Sequence, residues 1–361
     1  ANAVIHDTAV SLCDGHALHR AMRGLAPRLI HLHHYLHVGV DLLPALKRWF
    51  PGASVILTLH EYWGMCAYEG RLLRRSGELC GVGDPESCNT CLGGGQRDQL
   101  AIRARRLQRF FGAVDHFLAP SDFLKRQYLS WGVAPHKISK VENLPPPIAE
   151  SIALPRERRG EARVIVGYFG QINPWKGLDL ILEAVAISRA AGVDLCLEIH
   201  GLDPEELAQR AQAGDAFWRR CAEGLAALQP NGAVVMGRYG PDELGERMAG
   251  LDGVVMGSCW FENSPMVIQE AFQYGLPVMA PQLGGMAEKV RDGRNGLLFE
   301  SGDPRALAAV LQRFSEDQGL RSQLALGATK AAERGSRAAL QHERLYARFT
   351  PVSYTHLTLP T

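Results

Sequence analysis

The chain has almost no excess charge: 39 Lys and Arg stand against 38 Asp and Glu in 361 residues, a formal net charge of +1. That balance excludes a nucleic-acid binder working through a general basic surface, and leaves only a local patch for such a role. Long apolar runs are also missing, and none approaches the about 20 residues a membrane-spanning helix requires. No charged-then-apolar leader precedes the first polar residues, although a chain starting at Ala1 rather than Met weakens that point. Eight cysteines are too few to build a disulfide scaffold of this length. Internal repeats and low-complexity tracts are absent, and no Asp-x-Asp pair offers itself to a phosphate-bound divalent ion. What remains is a soluble-type composition long enough for two domains, each with its own core.

From Val164 onward, apolar strand-like runs alternate with helical periodicity, which implies a parallel, doubly wound α/β sheet. The most informative segment is Phe261-Glu262-Asn263-Ser264-Pro265-Met266-Val267-Ile268-Gln269-Glu270, between an apolar run and a helix. Ser264 suits an N-cap and Pro265 the first helical position, so the helix is expected to begin inside the motif and end at Gly275. Glu262 then lies in the loop and Glu270 one turn in. Free N–H groups at a helix start attract anions, and ionised carboxylates accept hydrogen bonds from sugar hydroxyls. Taken alone, the same spacing also fits a solvated surface helix.

Upstream, the strand Val164 to Phe169 runs into Gly170-Gln171-Ile172-Asn173-Pro174-Trp175-Lys176-Gly177 and then a helix with Leu178, Ile181, Leu182, Ala184 and Val185 on one stripe. Lys176 therefore sits beyond the carboxyl end of a strand, where open α/β sheets bind ligands and where an ammonium can neutralise a diphosphate. In isolation it also reads as a solvated loop lysine. Downstream, the strand from Val278 leads through Gly284-Gly285 into another helix, and glycine there permits positive φ or close approach.

In this order, and with Gly293-Arg294-Asn295-Gly296-Leu297-Leu298-Phe299 and Gly302-Asp303 following, these segments resemble the nucleotide-sugar domain of the retaining group 1 (family four) glycosyltransferases of GT-B fold. The resemblance implies two facing Rossmann-like domains with parallel sheets. It gives Glu270 the ribose hydroxyls, Glu262 the donor sugar and Lys176 the diphosphate, with the amides of Asn263 to Met266 bordering sugar and phosphate. Arg238 and Tyr239, after the strand Ala233 to Met236, stand where the family receives the base. Gln171 departs from the pattern, since most members place an arginine there, and Lys176 would carry more of the leaving-group charge. Gly257-Ser258 replaces a common proline-serine, a change expected to affect the loop alone.

The N-terminal half looks like the acceptor domain of the same family. Arg28 to His34 reads as a strand, Val40, Leu43, Leu46 and Trp49 as an amphipathic helix, and Ala53 to Trp63 as a second strand ending at His60. By resemblance His60 faces the reaction centre and orients acceptor or donor hydroxyls. His31, His33, His34 and His37 read as ordinary hydrogen-bonded histidines, and metal binding by them is opposed by strand alternation. Phe117 to Leu124 reads as strand, turn and capped helix, and Lys137 to Asn143 as the last strand before a proline-rich linker. The family's opening βα unit with its glycine turn is not visible, so the N-terminal domain reads as truncated and incomplete, able to bind nucleotide but poor at transfer. Pro351 to Thr361 resembles translated vector sequence and is set aside.

The expected divisions are a partial acceptor-side domain over 1–145 with a cysteine-containing loop at 64–95, a linker over 146–163, a nucleotide-sugar domain over 164–335, a returning helix over 336–350 and a non-native tail over 351–361. Cys66, Cys80, Cys88 and Cys91 end in a Cys-x2-Cys pair and read either as a structural zinc set or as free thiols. Cys13, Cys196, Cys221 and Cys259 read as core or incidental thiols. Leu100, Ala104, Leu107, Phe111 and Val114 form a stripe with Arg103, Arg105, Arg106 and Arg109 elsewhere, which fits a core-packed helix or a contact with anionic lipid. The function expected is retaining, metal-independent transfer of a hexosyl group from a nucleoside-diphosphate sugar to a glycan or lipid-linked acceptor, in the cytoplasm or at the inner face of its membrane. No cofactor is required for catalysis. The alternatives are another GT-B enzyme, a sugar-nucleotide epimerase or a phosphorylase, and a non-catalytic scaffold organised by a zinc loop.

Overall fold

Ten strands are paired in parallel in two separate sheets of a computed structural model that describes residues 16–36, 38–81, 83–144, 163–335 and 338–350. The readings of the N-terminal truncation, the prolines of the linker, the tail, Cys13 and His37 fall outside the described residues. The chain divides into one unit of residues 1–142 with 337–361 and a second of residues 143–336.

In the first unit β1 (Leu29–Leu32), β2 (Ser54–Thr58), β3 (His116–Ala119) and β4 (Ile138–Lys140) lie side by side in chain order. Helix Leu42–Trp49 buries Leu42, Leu43, Ala45, Leu46 and Trp49, and packs with Ile30 and Val55 in one cluster. The expected caps hold at Ser121, whose side chain accepts from Leu124 N–H at the start of helix Asp122–Ser130. Helix Ala338–Phe349 belongs to this unit although it follows the second unit in sequence: Leu345, Tyr346 and Phe349 cover Ile56, Leu118 and Val141. In helix Arg97–Phe111 the apolar residues Leu100, Leu107 and Phe111 are buried. Arg103 donates to the carbonyls of Trp63 and Gly64, and Arg106 pairs with Asp41 at 3.1 Å. Arg97 pairs with Glu86 at 2.7 Å, so three of the helix's five arginines are engaged within the fold, which favours the core-packed reading. Val114 is buried but lies beyond the helix end.

In the second unit the strands β5 (Val164–Phe169), β6 (Leu195–His200), β7 (Ala233–Gly237), β8 (Gly253–Val255), β9 (Val278–Pro281) and β10 (Gly296–Phe299) run in the order β10-β9-β8-β5-β6-β7. Strand alternation divides the core: Val164, Val166 and Tyr168 join helices Leu178–Ala190, Ala216–Leu228 and Pro304–Glu316 on one face, while Phe169 joins Met248, Ile268, Phe272 and Met286 on the other. Chain order reverses at β5, which has β6 on one side and β8 on the other. The loops leaving β5 and β8 therefore emerge next to each other at the carboxyl edge, and a switch point of this kind is where open α/β sheets hold ligands.

Candidate active site at the strand switch point

Lys176 and Glu262, 86 residues apart, meet because they follow these two neighbouring strands. After β5 the chain makes a single turn Pro174–Lys176, capped by the Asn173 side chain, and Gly177 follows at φ +64°. A Cβ on Gly177 would lie 2.0 Å from the carbonyl oxygen of Gly257, so glycine is required twice over, by φ and by contact with the second loop. Cys259 N–H donates to Trp175 O at 3.0 Å and ties the same loops together. The Gly257-Ser258 departure is thus more than a loop variation: Gly257 admits the β5 loop, and Ser258 takes part in the site.

Lys176 Nζ lies 2.6 Å from Glu262 Oε1, which also accepts from Ser258 Oγ at 2.8 Å and Trp260 Nε1 at 3.0 Å. Three donors converge on one oxygen of a carboxylate that is 7% exposed. The sequence marks Ser258 only as part of a loop departure and does not mark Trp260 at all, since both act within four residues of Glu262 by loop geometry alone. The loop is pressed against the next element: Gly285 N–H donates to Glu262 O at 2.8 Å, and a Cβ on Gly285 would lie 1.7 Å from Asn263 O. Of the two glycines Gly284 takes positive φ, +53°, and Gly285 supplies the close approach, to protein backbone.

One expectation fails at the helix start. The helix is Met266–Gln273, with Pro265 at the N-cap and no side-chain cap bond; Ser264 does not cap it. Pro265 holds ψ near 124°, outside the helical range, so the helix begins one residue later. The Ser264 hydroxyl is left buried with no hydrogen-bond partner among the described residues. Gly275, at φ +69°, follows the helix end as expected.

Glu270 stands one turn into this helix, half-buried, and burial raises its carboxyl above the ordinary range. It lies near Tyr239 and Tyr274 rather than in contact with Lys176: burial pushes the Tyr239 phenol up to about 12, with the Glu270 charge adding to it. Tyr239 stands edge-on to Phe169 and His200, whose rings stack at 4.3 Å. His200 is fully buried, with Glu198 Oε2 3.3 Å from its Nε2 but not aligned as a hydrogen bond. Arg238 is exposed and engaged by Asp203 and Glu206. Gln171 is exposed, and its backbone carbonyl accepts from Tyr168 OH at 3.0 Å.

His60 belongs to the first unit and follows β2. Its Nε2 lies 3.3 Å from Nδ1 of His33, in line with the reading of His33 as a hydrogen-bonded histidine, and the partner is His60 itself. Burial, and then the neighbours His33 and His34, lower the His60 imidazole to about 4, which keeps it neutral at physiological pH. The thiols of Cys66, Cys80, Cys88 and Cys91 are free. Cys66 is buried, and burial next to the other three pushes Cys88 up to about 11. Among the described residues no group of three or more His, Cys, Asp or Glu side chains is placed to hold a metal ion, and no helix is long and apolar enough to cross a membrane.

Two family profiles match the chain: "Glycosyltransferase Family 4" over residues 6–144 and "Glycosyl transferases group 1" over residues 153–331. A D-inositol 3-phosphate glycosyltransferase of a Nocardioides species is 31% identical over 268 residues, 68% of this chain and 55% of the relative. A glycogen synthase of Thermus thermophilus is 34% identical over 173 residues, 46% of this chain and 36% of the relative. The chain thus spans about half or less of the length of these curated relatives. Among solved structures, Anabaena HepE in complex with UDP and glucose superposes with a TM-score of 0.65 at 17% identity, covering 95% of this chain and 84% of that one, and shares the fold. With two parallel-sheet units, a lysine–glutamate pair at the strand switch point and both halves matched in order, the chain belongs to the group 1 glycosyltransferases of GT-B fold.

Proposed function

We propose that the chain transfers a hexosyl group from a nucleoside-diphosphate sugar to a hydroxyl of a glycan or lipid-linked acceptor, with retention at the anomeric carbon. The observation that carries this reading is the Lys176–Glu262 pair, 2.6 Å apart beside the start of helix Met266–Gln273. In the reaction the bond from the anomeric carbon to the diphosphate oxygen breaks, and a bond to the acceptor oxygen forms. The acceptor proton passes to a phosphate oxygen of the leaving group. Negative charge grows on the diphosphate, and a fixed ammonium with free helix N–H groups stabilises it in the transition state more than in the ground state.

Glu262 has two tasks in this scheme. Its charge holds the Lys176 ammonium over the phosphate position, and its second oxygen is available to sugar hydroxyls. The buried Ser264 hydroxyl, unpaired among the described residues, finds a partner in a bound phosphate or sugar oxygen. Glu270 would receive the ribose and Tyr239 would border the base. With Lys176 supplying the counter-charge and no Asp-x-Asp pair in the sequence, the transfer is proposed to need no divalent ion. His60 would meet the reacting sugar as a neutral hydrogen-bonding group. A phosphorylated polyol or a growing glucan, the acceptor chemistries in the two relatives' names, are the first to try.

The test is release of nucleoside diphosphate from UDP-, GDP- and ADP-hexoses with each acceptor, with magnesium or with chelator, and proton NMR of the product's anomeric centre. Retained configuration and chelator-insensitive turnover with one donor support the proposal. An inverted product, or absorbance of a lysine-bound pyridoxal phosphate with phosphorolysis instead of transfer, overturns it.

A further inference from the structure

We infer that His33 is a positioning residue for His60, and that it is itself anchored through His31 by Tyr346 on helix Ala338–Phe349. The inference rests on the transferase reading above, in which His60 meets the reacting sugar.

A histidine in the loop after a strand has two rotatable side-chain bonds and two candidate tautomers, so something must fix both if its ring is to present one nitrogen to a sugar hydroxyl. In the first unit that partner is His33, which leaves the adjacent strand β1. Nδ1 of His33 stands 3.3 Å from Nε2 of His60, with the rings 5.6 Å apart and 20° from parallel. One nitrogen donates and the other accepts, which leaves Nδ1 of His60 for substrate.

His33 is exposed, and it is fixed from below. Its ring lies 4.3 Å from that of His31. His31 is held at both nitrogens, Nδ1 by Tyr346 OH at 2.6 Å and Nε2 by Thr58 Oγ1 at 2.7 Å. Burial and the neighbouring histidines lower His31 to about 4, so it remains a neutral ring between these hydroxyls. The path Tyr346–His31–His33–His60 thus spans 315 residues of sequence between its first two members, yet stays within one unit.

Among the described residues, few other groups face the cluster. His34 has its Nε2 3.5 Å from Glu61, and burial pushes that carboxyl up to about 7. Arg103 acts on Glu61 from helix Arg97–Phe111 while bonded to backbone carbonyls. His342, on helix Ala338–Phe349, lies 6.4 Å from His31. Loss of the His33 ring removes one of the neighbours that keep His60 uncharged and also releases its orientation.

The experiment is NMR titration of the whole histidine-labelled chain, wild type, His33→Ala, His33→Asn and Tyr346→Phe, beside pH profiles of kcat and KM. In the wild type the His60 ring stays neutral above about pH 5 with a single tautomer signature. In His33→Ala its titration moves upward by about one unit, equivalent to about a tenfold change in the protonation equilibrium, and the acid limb of kcat moves with it. KM for the nucleotide-sugar is unchanged. His33→Asn, which keeps a hydrogen-bonding group, restores the tautomer signature, and Tyr346→Phe gives a weaker version of the alanine effect. Identical His60 titration and tautomer in His33→Ala and wild type overturn the inference, whatever the activity. A His60 response in protein that turns over no sugar donor supports the positioning role and tells against the transferase reading instead.

Discussion

Lys176 Nζ and Glu262 Oε1 are 2.6 Å apart, across 86 residues of sequence. A carboxylate that is 7% exposed needs this partner, because Ser258 and Trp260 supply hydrogen bonds but no opposite charge. Lys176→Ala is expected to cost about 1–3 kcal/mol of stability in the free protein. Donor turnover should fall by about 10²–10³-fold, the usual loss for one electrostatic stabiliser. Chemical denaturation and steady-state kinetics measure the two effects, and unaltered stability would mean the pair contributes nothing to the resting fold.

Glu61 sets a pH dependence. Burial pushes its carboxyl up to about 7 against an ordinary value of 4.5, outweighing the Trp63 N–H bond and the Arg103 charge that lower it. The folded chain therefore holds this proton more tightly than the unfolded chain. The associated stability is complete below pH 4.5 and is lost as pH rises through 7. Glu61→Gln has no proton to lose and can still accept from Trp63 N–H. It is expected to match wild type below pH 4.5 and to exceed it by about 1–3 kcal/mol above pH 7. Urea denaturation across this range checks the prediction, and a constant difference at all pH values would contradict it.

Gly285 and Gly177 hold the site loops by close approach. A methyl group on Gly285 would meet Asn263 O at 1.7 Å, and one on Gly177 would meet Gly257 O at 2.0 Å. Both obstacles are backbone and cannot rotate away. Gly285→Ala and Gly177→Ala should each cost about 1–3 kcal/mol or more and weaken nucleotide binding. Gly240→Ala, with open space around it, should do neither. Thermal unfolding and nucleotide titration separate these outcomes.

The fold was legible in the sequence because buried parallel strands announce themselves as apolar runs, and Val164 to Phe169 and Val278 to Pro281 both prove to be strands. Lys176 and Glu262 were legible for the same reason, as residues placed after strands that topology makes neighbours. The helix start departs from the Ser264 cap by one residue, because a serine before proline satisfies the cap pattern whether or not its hydroxyl turns to the helix. His31 and His33 were legible as hydrogen-bonded histidines, but the groups they bond were not. Their partners are Thr58 and His60 on the adjacent strand and loop and Tyr346 on a helix at the far end of the chain, and no local spacing encodes such contacts.

Glu270 is expected to trade stability for binding. Burial raises its carboxyl, so the charged form is held at a cost above the ordinary carboxylate range and at none below it. Glu270→Gln should raise the melting temperature of the free protein at neutral pH, with the gain vanishing in acid, while nucleotide affinity falls. A variant that is both less stable and fully able to bind would contradict both halves of this account.

The central claim, that Lys176, Glu262 and Glu270 serve one nucleotide-sugar site, is tested most directly by titration calorimetry of UDP, GDP and ADP into wild type, Lys176→Ala and Glu270→Ala. The account predicts that one of the three nucleotides binds the wild type and that each substitution weakens it by about tenfold or more, since charge-assisted hydrogen bonds are worth about 1.5–3 kcal/mol. Affinity left untouched by both substitutions would contradict it.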